Sequence, residues 1–138
     1  MAEERLSMIV FSGTVDKLMP MGILAAGAVA MGMDVEIFLT FWGLAALKKG
    51  AAANLPISAD FAAMGPMLQE IMQVQKVPSF LDNLRDAKEL GNVKIYACGM
   101  SMDLLGIKMA DLDELVDDVA GVAHFIERAK EGKMTLFI

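Results

Sequence analysis

The only cysteine of the 138-residue chain, Cys98, is the residue best suited to chemistry. It closes an apolar, β-branched and aromatic run that begins at Val93, and Gly99 follows it directly. Such a run, after a helix that ends at a glycine, is typical of a buried strand. Reactive groups in open α/β sheets collect at the carboxyl ends of strands. We therefore expect Cys98 to stand at the rim of a sheet.

The residues after Cys98 favour its ionised form. Backbone N–H groups of Gly99, Met100 and Ser101 start a helical turn and can point at the sulfur, which favours thiolate over thiol. Nucleophilic attack, persulfide formation and oxidation all require the thiolate. The alternative is that Cys98 is a small, inert, buried hydrophobe, as many lone cysteines are.

Several thiol chemistries do not fit the surrounding sequence. There is no Cys-x-x-Cys pair, and Ile95 stands where a peroxiredoxin has threonine or serine, three residues before the cysteine. A rhodanese loop carries a nearby basic residue, but here the first one after Cys98 is Lys108. The only histidine, His124, is expected on the solvent side of its helix and not as a catalytic base. One sulfur without an acid–base partner suits a carrier better than a turnover enzyme.

A second candidate site is the turn Ser12-Gly13-Thr14, which follows a strand and precedes a helix. Such a turn can hold an anion with its backbone N–H groups, although it matches neither a dinucleotide-binding nor a P-loop motif. The alternative is an ordinary turn in which Thr14 caps the helix. If the first three strands are neighbours, this turn and Trp42 border Cys98. Trp42 then walls a pocket or simply covers the end of the sheet.

Composition excludes several functions. A net charge of −6 and the absence of a lysine or arginine cluster argue against a nucleic-acid partner. No group of His, Cys, Asp or Glu has metal-site spacing, and the thirteen methionines are expected to fill the core or form an adaptable surface. No cofactor is expected. A single cysteine and an acidic start fit a cytoplasmic protein.

One apolar segment, residues 18–33, raises the question of membrane contact. It is shorter than the roughly 20 residues that a spanning helix needs. It also contains Pro20, Gly22 and Gly27. We expect a helix that covers a sheet face, with small residues that allow close backbone approach.

The order of elements predicts an α/β fold with a single domain, residues 1–138. Strands are expected at 6–11, 35–40, 93–98 and 134–138, with a short one within 110–116. Helices are expected at 16–31, 44–49, 66–74, 79–91 and 119–130. The last helix is expected to bury one apolar stripe, which consists of Val119, Val122, Ala123, Ile126 and Ala129. Right-handed crossovers then give a mostly parallel five-stranded sheet with helices on both faces, a flavodoxin-like three-layer sandwich. Residues 51–78 are expected to be an insertion.

Three segments of the chain, 8–17, 38–43 and 94–103, resemble the DsrE/DsrF-like family, especially the branch often labelled peroxiredoxin-like. The most specific blocks are Trp42-Gly43 and the run from Ala97 to Ser101. The resemblance implies a five-stranded parallel α/β sandwich, homo-oligomers, and sulfur relay between donor and acceptor proteins. It also implies that Cys98 carries sulfane sulfur as a persulfide.

Three functions are therefore open. The first is a sulfur carrier that uses Cys98. The second is a thiol peroxidase or redox sensor that uses the same thiol. The third is a binding module for a nucleotide, flavin or acyl thioester in a strand-end pocket, with Ser12, Gly13, Thr14, Trp42, Gly99, Met100 and Ser101 as its candidate residues.

Overall fold

The structure, a computed structural model, describes residues 3–138 and contains one five-stranded parallel sheet. The strands are β1 (Glu3–Val10), β2 (Asp34–Leu39), β3 (Val93–Cys98), β4 (Asp118–Ala120) and β5 (Gly132–Phe137). Their order across the sheet is β4-β3-β2-β1-β5, and every neighbouring pair is parallel. The predicted α/β class and five parallel strands are confirmed.

In the described part of the chain, six α-helices connect the strands: α1 (Val15–Ala30), α2 (Phe41–Ala46), α3 (Gly65–Val74), α4 (Phe80–Leu90), α5 (Gly99–Leu105) and α6 (Val122–Ala129). Short 3-10 turns lie at Ala51–Asn54, Ala59–Met64 and Met109–Asp111. The chain steps from β1 to β4 in one direction, and then returns across the sheet to place β5 beside β1. Right-handed crossovers therefore put α1 and α4 on one face, called the first face, and α6 on the opposite, second face.

The first face holds the main hydrophobic core. Side chains alternate along a strand, so every second residue of β1, β2 and β3 points into this core. These are Leu6, Met8 and Val10 on β1, Val35, Ile37 and Leu39 on β2, and Val93, Ile95 and Ala97 on β3. Helix α1 covers them with Leu18, Met21 and Ala25, and α4 with Phe80, Leu84 and Ala87.

Helix α1 confirms the expectation for residues 18–33, since it packs on the sheet and on α4. A Cβ placed on Gly22 would lie 3.1 Å from the carbonyl oxygen of Phe80, so the two helices approach closely there. Gly27, in the same helix, faces open space. Among residues 3–138, no helix combines the length and the apolar character needed to cross a membrane.

The second face is covered by α6 alone. Phe125 of α6 stacks on Phe38 of β2, with ring centroids 5.4 Å apart, and both rings pack with Cys98. Beside this small cluster the second face is polar, with Arg5 and Glu36 buried against the sheet.

The predicted helix at 119–130 is wrong at its start, because residues 118–120 form β4. Val119 pairs with Ala97, which continues the sheet beyond β3, and Gly121 then caps α6. The predicted short strand within 110–116 therefore falls later in the chain, at β4. The predicted apolar stripe is also wrong. Phe125 is the buried residue of α6, whereas Val122 and Ile126 are 61% and 57% exposed.

Two short helices differ from the prediction. Helix α2 starts at Phe41 rather than at residue 44, and the helical turn expected after Cys98 is a seven-residue helix, α5. Both contain a glycine near the start, which argues against a helix when only local propensity is considered. Packing explains the difference at Gly43, because a Cβ there would lie 2.2 Å from the carbonyl oxygen of Val10.

Residues 51–78 lie next to the beginning of α1. The backbone N–H of Val15 donates to the carbonyl of Pro56, and the N–H of Ser58 donates to the carboxylate of Asp16. Helix α3 follows, with Pro66 in its first turn, and its apolar side chains are largely exposed.

Candidate functional site

Cys98 is the last residue of β3 and the N-cap of α5, as the sequence predicts. Side chains at Lys94, Tyr96 and Cys98 alternate with core residues, so all three belong to the second face. The thiol therefore packs beside the Phe38–Phe125 stack, with 8% of the residue exposed. It stands at the rim of the sheet, with a small part of its surface open.

Two hydroxyl groups lie beside the sulfur. The oxygens of Thr40 and Ser101 are 2.9 Å apart, and the backbone N–H of Phe41 donates to Ser101 Oγ at 3.1 Å. Phe41 has a φ of 46°, a left-handed conformation that costs free energy in a residue other than glycine. The hydrogen bond to Ser101 helps hold it. The carboxyl ends of β2 and β3 are thus joined by a small polar network.

This network lowers the pKa of Cys98. Burial raises the pKa of the thiol, but hydrogen bonds from the Ser101 hydroxyl and backbone N–H, from the Thr40 hydroxyl and from the Met100 N–H together outweigh it. Met100 and Ser101 are two of the three predicted N–H donors. The lowered pKa favours the thiolate, which is the reactive form of cysteine.

Thr40 is a site residue that sequence reasoning missed. It was placed only at the end of the second strand, with no role. Its position beside Cys98 follows from the pairing of Leu39 with Ala97, which brings the next residues of β2 and β3 together. The strand order, which the sequence alone leaves open, is the signal that would have revealed it.

A cavity of about 460 Å³ opens at the carboxyl end of β1, next to the start of α1. Its wall includes the predicted residues Ser12, Gly13, Thr14 and Trp42. Further wall residues are Phe11, Lys17, Ala45, Ala46, Leu55, Pro56, Ser58 and Ala59. We call it the strand-end cavity.

The strand-end cavity does not include the other pocket candidates. Cys98, Gly99, Met100 and Ser101 are absent from its wall. Strand β2 lies between β1 and β3, and Phe41, which follows β2, packs against Phe11 and Trp42 with ring centroids 5.6 and 6.3 Å away. The predicted single pocket is therefore divided into two separate sites along one edge of the sheet: the strand-end cavity and the surroundings of Cys98.

The start of α1 is poorly suited to hold a phosphate. The N–H of Val15 is already bonded to Pro56, and the carboxylate of Asp16 occupies the first turn. Burial raises the pKa of Asp16, but hydrogen bonds from Ser58 and Thr14 outweigh it and lower the pKa. The negative charge at this end of α1 repels a phosphate.

His124 is exposed, as predicted, and its ring packs edge-on against Tyr96 with centroids 5.1 Å apart. Within residues 3–138, no group of three or more His, Cys, Asp or Glu side chains is arranged to hold a metal ion.

Comparison with known proteins finds relatives that align with the whole chain. The model of the DsrE/DsrF/DrsH-like family matches two overlapping segments, residues 2–64 and 52–137. The uncharacterized protein YrkE of Bacillus subtilis is 39% identical over 159 aligned positions, which cover 98% of this chain and 97% of that protein. The sulfur carrier protein DsrE2 of Allochromatium vinosum is 33% identical over 162 positions, which cover both chains completely.

Solved structures share the fold at lower identity. A protein of unknown function from Methanobacterium thermoautotrophicum, MTH1491, has a TM-score of 0.62 at 16% identity and covers 99% of this chain and 100% of its own. The ychN protein from E. coli has a TM-score of 0.62 at 17% identity and covers both chains completely. These likenesses establish the architecture only.

Proposed function

The chain belongs to the DsrE/DsrF/DrsH-like family, and from this premise we propose that it is a sulfur carrier that holds sulfane sulfur on Cys98. At the level of the family, the named relative supports a role in sulfur relay. The observation that carries the assignment to Cys98 is the set of hydroxyl and N–H donors that lowers the pKa of this thiol. These donors support a Cys98 that is present as the nucleophilic thiolate.

The transfer needs no general base. The Cys98 thiolate attacks the terminal sulfur of a donor persulfide R–S–SH. The S–S bond breaks, R–S⁻ leaves with the electron pair, and Cys98 becomes a persulfide that keeps the proton on its outer sulfur. An acceptor thiolate then attacks that outer sulfur and releases Cys98 as the thiolate. In both steps the donors from Thr40, Met100 and Ser101 stabilise the charge on Cys98.

Access to the sulfur involves the side chains around it. Cys98 is 8% exposed, while Met100 next to it is 72% exposed and Val119 is half-exposed. A Cβ on Gly99 would lie 3.4 Å from Cγ1 of Val119, so Val119 flanks the backbone after the cysteine. We propose that a donor or acceptor reaches the sulfur past the side chains of Met100 and Val119, which are exposed next to it.

Mass spectrometry tests the carrier directly. Reduced protein is incubated with a polysulfide, and its intact mass is measured before and after treatment with a reductant. We expect the addition of sulfur atoms that the reductant removes, with the modified peptide containing Cys98. Cys98→Ser is the control and should gain no sulfur. An unmodified wild-type protein whose thiol reacts freely with an alkylating reagent contradicts the proposal.

A thiol peroxidase or redox sensor is the competing use of the same thiol. Ile95, at the position where a peroxiredoxin has a hydroxyl side chain, is fully buried in the core of the first face. We therefore expect peroxide consumption no faster than that of free cysteine. A much faster rate, with sulfenic acid formed at Cys98, would favour the redox function.

The strand-end cavity favours a second candidate function, the binding of a small organic ligand. Its wall is mostly apolar and has one charged side chain, Lys17, while Asp16 lies at the adjacent end of α1. A single lysine beside a carboxylate suits a short acyl thioester better than the several phosphate charges of a nucleotide. Trp42 is the only tryptophan and lines the cavity, so its fluorescence reports occupancy. We expect a short acyl thioester, but not adenosine diphosphate, to shift the emission in wild type and in Cys98→Ser. No shift with either compound contradicts the candidate.

A further inference from the structure

The second face carries a cavity of about 340 Å³ whose wall is made entirely of polar side chains. We call it the polar cavity, and its residues are Arg5, Asp34, Glu36, Asn92, Lys94, Tyr96, His124 and Arg128. Both faces of a parallel sheet are normally covered by helices. Here α6 covers the Cys98 end of the second face, and the amino-terminal ends of β2 and β3 stay open.

Fixed charges form the floor of the polar cavity. Arg128 Nε lies 3.1 and 3.0 Å from the two carboxylate oxygens of Glu36, and Arg5 Nε lies 3.0 Å from one of them. Arg5 also donates from Nη1 to the carbonyl of Arg128 at 2.6 Å. Arg5 and Glu36 are buried, whereas Arg128, on α6, is partly exposed. Glu36 pairs with both guanidinium groups and Arg5 also pairs with Glu3, so the charges of these two arginines are balanced by two carboxylates.

Several donors that face the polar cavity are unused. Among residues 3–138, no hydrogen-bond partner is found for the Nη nitrogens of Arg128, for Nζ of Lys94 or for the hydroxyl of Tyr96. Burial, and next the charge of Glu36, raise the pKa of Tyr96, so its hydroxyl stays protonated and can donate at neutral pH. The wall holds two arginines, Lys94 and two carboxylates. Both arginines are paired with glutamates, which leaves Lys94 and Asp34 without an ion pair among residues 3–138.

We propose that the polar cavity binds a small molecule through an anionic oxygen-bearing group, held by the Arg128 Nη nitrogens, Lys94 and Tyr96. A guanidinium edge matches the oxygens of a carboxylate, phosphate or sulfonate, and lysine adds a point charge. The volume of the polar cavity lies at the lower end of the range for small-molecule pockets.

The proposed anion site is independent of sulfur carriage. Lys94, Tyr96 and Cys98 share the second face, but the rings of Phe38 and Phe125 pack beside Cys98 and close that end of the face. Cys98 is not part of the wall of the polar cavity. A variant that loses anion binding is therefore expected to form the persulfide at Cys98 normally. A variant that lacks Cys98 is expected to bind the anion normally.

Nuclear magnetic resonance tests the proposal with three probes: inorganic phosphate, methanesulfonate and succinate. In low-salt buffer we expect at least one of them to cause saturable shifts in the signals of Lys94, Tyr96 and Arg128. Lys94→Gln should weaken the affinity by about tenfold, the effect of losing one charged hydrogen bond. Tyr96→Phe, which keeps the ring against His124, should weaken it by a few-fold.

Lys49→Gln is the matched control, since it removes the same charge from an exposed position outside the polar cavity. It should leave the affinity unchanged. Saturable shifts lost equally in Lys49→Gln and Lys94→Gln would indicate nonspecific charge attraction and overturn the proposal, as would the absence of saturable shifts with all three probes. In the polysulfide assay, Lys94→Gln is expected to gain sulfur as wild type does. This assay therefore distinguishes a failure of anion binding from a failure of the carrier function.

Discussion

The ionisation of Cys98 depends on individual hydroxyl groups that follow two neighbouring strands. Thr40 comes directly after β2 and Ser101 lies in α5, and their oxygens are 2.9 Å apart beside the sulfur. Each lowers the pKa of the thiol, against the effect of burial, which raises it. A single hydroxyl is therefore expected to have a measurable effect on reactivity.

Replacing Thr40 tests this expectation. Thr40→Val keeps the shape and removes the hydroxyl, so the pKa of Cys98 should rise, whereas Thr40→Ser keeps a hydroxyl and should leave the pKa near that of wild type. The measurement is the rate of alkylation by iodoacetamide as a function of pH, whose midpoint reports the pKa. In wild type the midpoint should lie below the roughly 8.5 of an unperturbed cysteine. Identical midpoints for wild type and both variants would remove Thr40 from the site.

The lowered pKa of Cys98 also affects the stability of the folded protein. Because folding lowers the pKa of Cys98, ionisation stabilises the folded state at pH values above the pKa of the unfolded chain. That contribution is lost as the pH falls through the folded-state pKa. Between the folded-state and the unfolded-state pKa of Cys98, the free energy of unfolding should therefore rise less with pH in Cys98→Ser than in wild type. Parallel curves for the two proteins would contradict the lowered pKa.

Among the elements, α2 shows how closely backbone segments approach at the carboxyl edge of the sheet. Gly43 donates its N–H to the carbonyl of Phe11, and a Cβ added to Gly43 would lie 2.2 Å from the carbonyl oxygen of Val10. A Cβ on Gly13 would likewise lie 2.6 Å from the carbonyl oxygen of Trp42. Because these two residues are glycines, α2 packs closely against the end of β1. This packing positions Trp42 at the strand-end cavity.

Two glycine-to-alanine changes in helices should have opposite effects. Gly43→Ala should destabilise the fold by about 2 kcal/mol or more, because strand β1 cannot move away from the new methyl group. Gly27→Ala in α1 meets open space and should stabilise by about 0.5–1 kcal/mol, since alanine favours a helix. Urea denaturation monitored by circular dichroism measures both. A neutral Gly43→Ala would mean that α2 is not packed as described.

At the scale of the whole molecule, the two faces of the sheet are stabilised differently. The first face is a continuous apolar core, whereas the second face combines the small Phe38–Phe125 cluster with the buried charges of Arg5 and Glu36. Removing one partner of a buried ion pair leaves the other charge buried and unpaired, which is costly. Loss of one member of the charged group is therefore expected to weaken the packing of α6 on the sheet.

A pair of glutamate variants tests this difference. Glu36→Gln should lower the free energy of unfolding by about 2 kcal/mol, because the buried Arg5 then keeps only the exposed Glu3 as a charged partner and Arg128 loses its ion pair. Glu4→Gln, which removes an exposed ion pair with Lys133, should change it by no more than about 0.5 kcal/mol. Chemical denaturation at one pH and one ionic strength compares them. Equal losses in both variants would contradict a structural role for the buried charges.

Homo-oligomerisation and a cytoplasmic location stay predictions. Exposed apolar residues occur at Val122 and Ile126 on α6 and at Phe137 on β5. Size-exclusion chromatography with light scattering is the direct measurement of the oligomeric state.

The sequence by itself determined the fold class, β3 and the strand-end position of Cys98. Apolar runs with glycine at their ends define strands locally, because side-chain alternation and helix termination depend on neighbouring residues. The Trp42-Gly43 and Ala97–Ser101 blocks were sufficient to recognise the family. The boundaries of α2, α5 and β4 were missed, because backbone packing and strand pairing decide them, as the contact of Gly43 with Val10 illustrates.

Only the tertiary structure decided which residues surround each site. Placing β2 between β1 and β3 brought Thr40 to Cys98 and separated Trp42 and the Ser12–Thr14 turn from it. It also joined Arg5, Glu36 and Arg128, which lie far apart in the chain. The physical reason is that strand order and crossover direction are properties of the whole sheet. They arise from long-range pairing, which no local pattern of residues encodes.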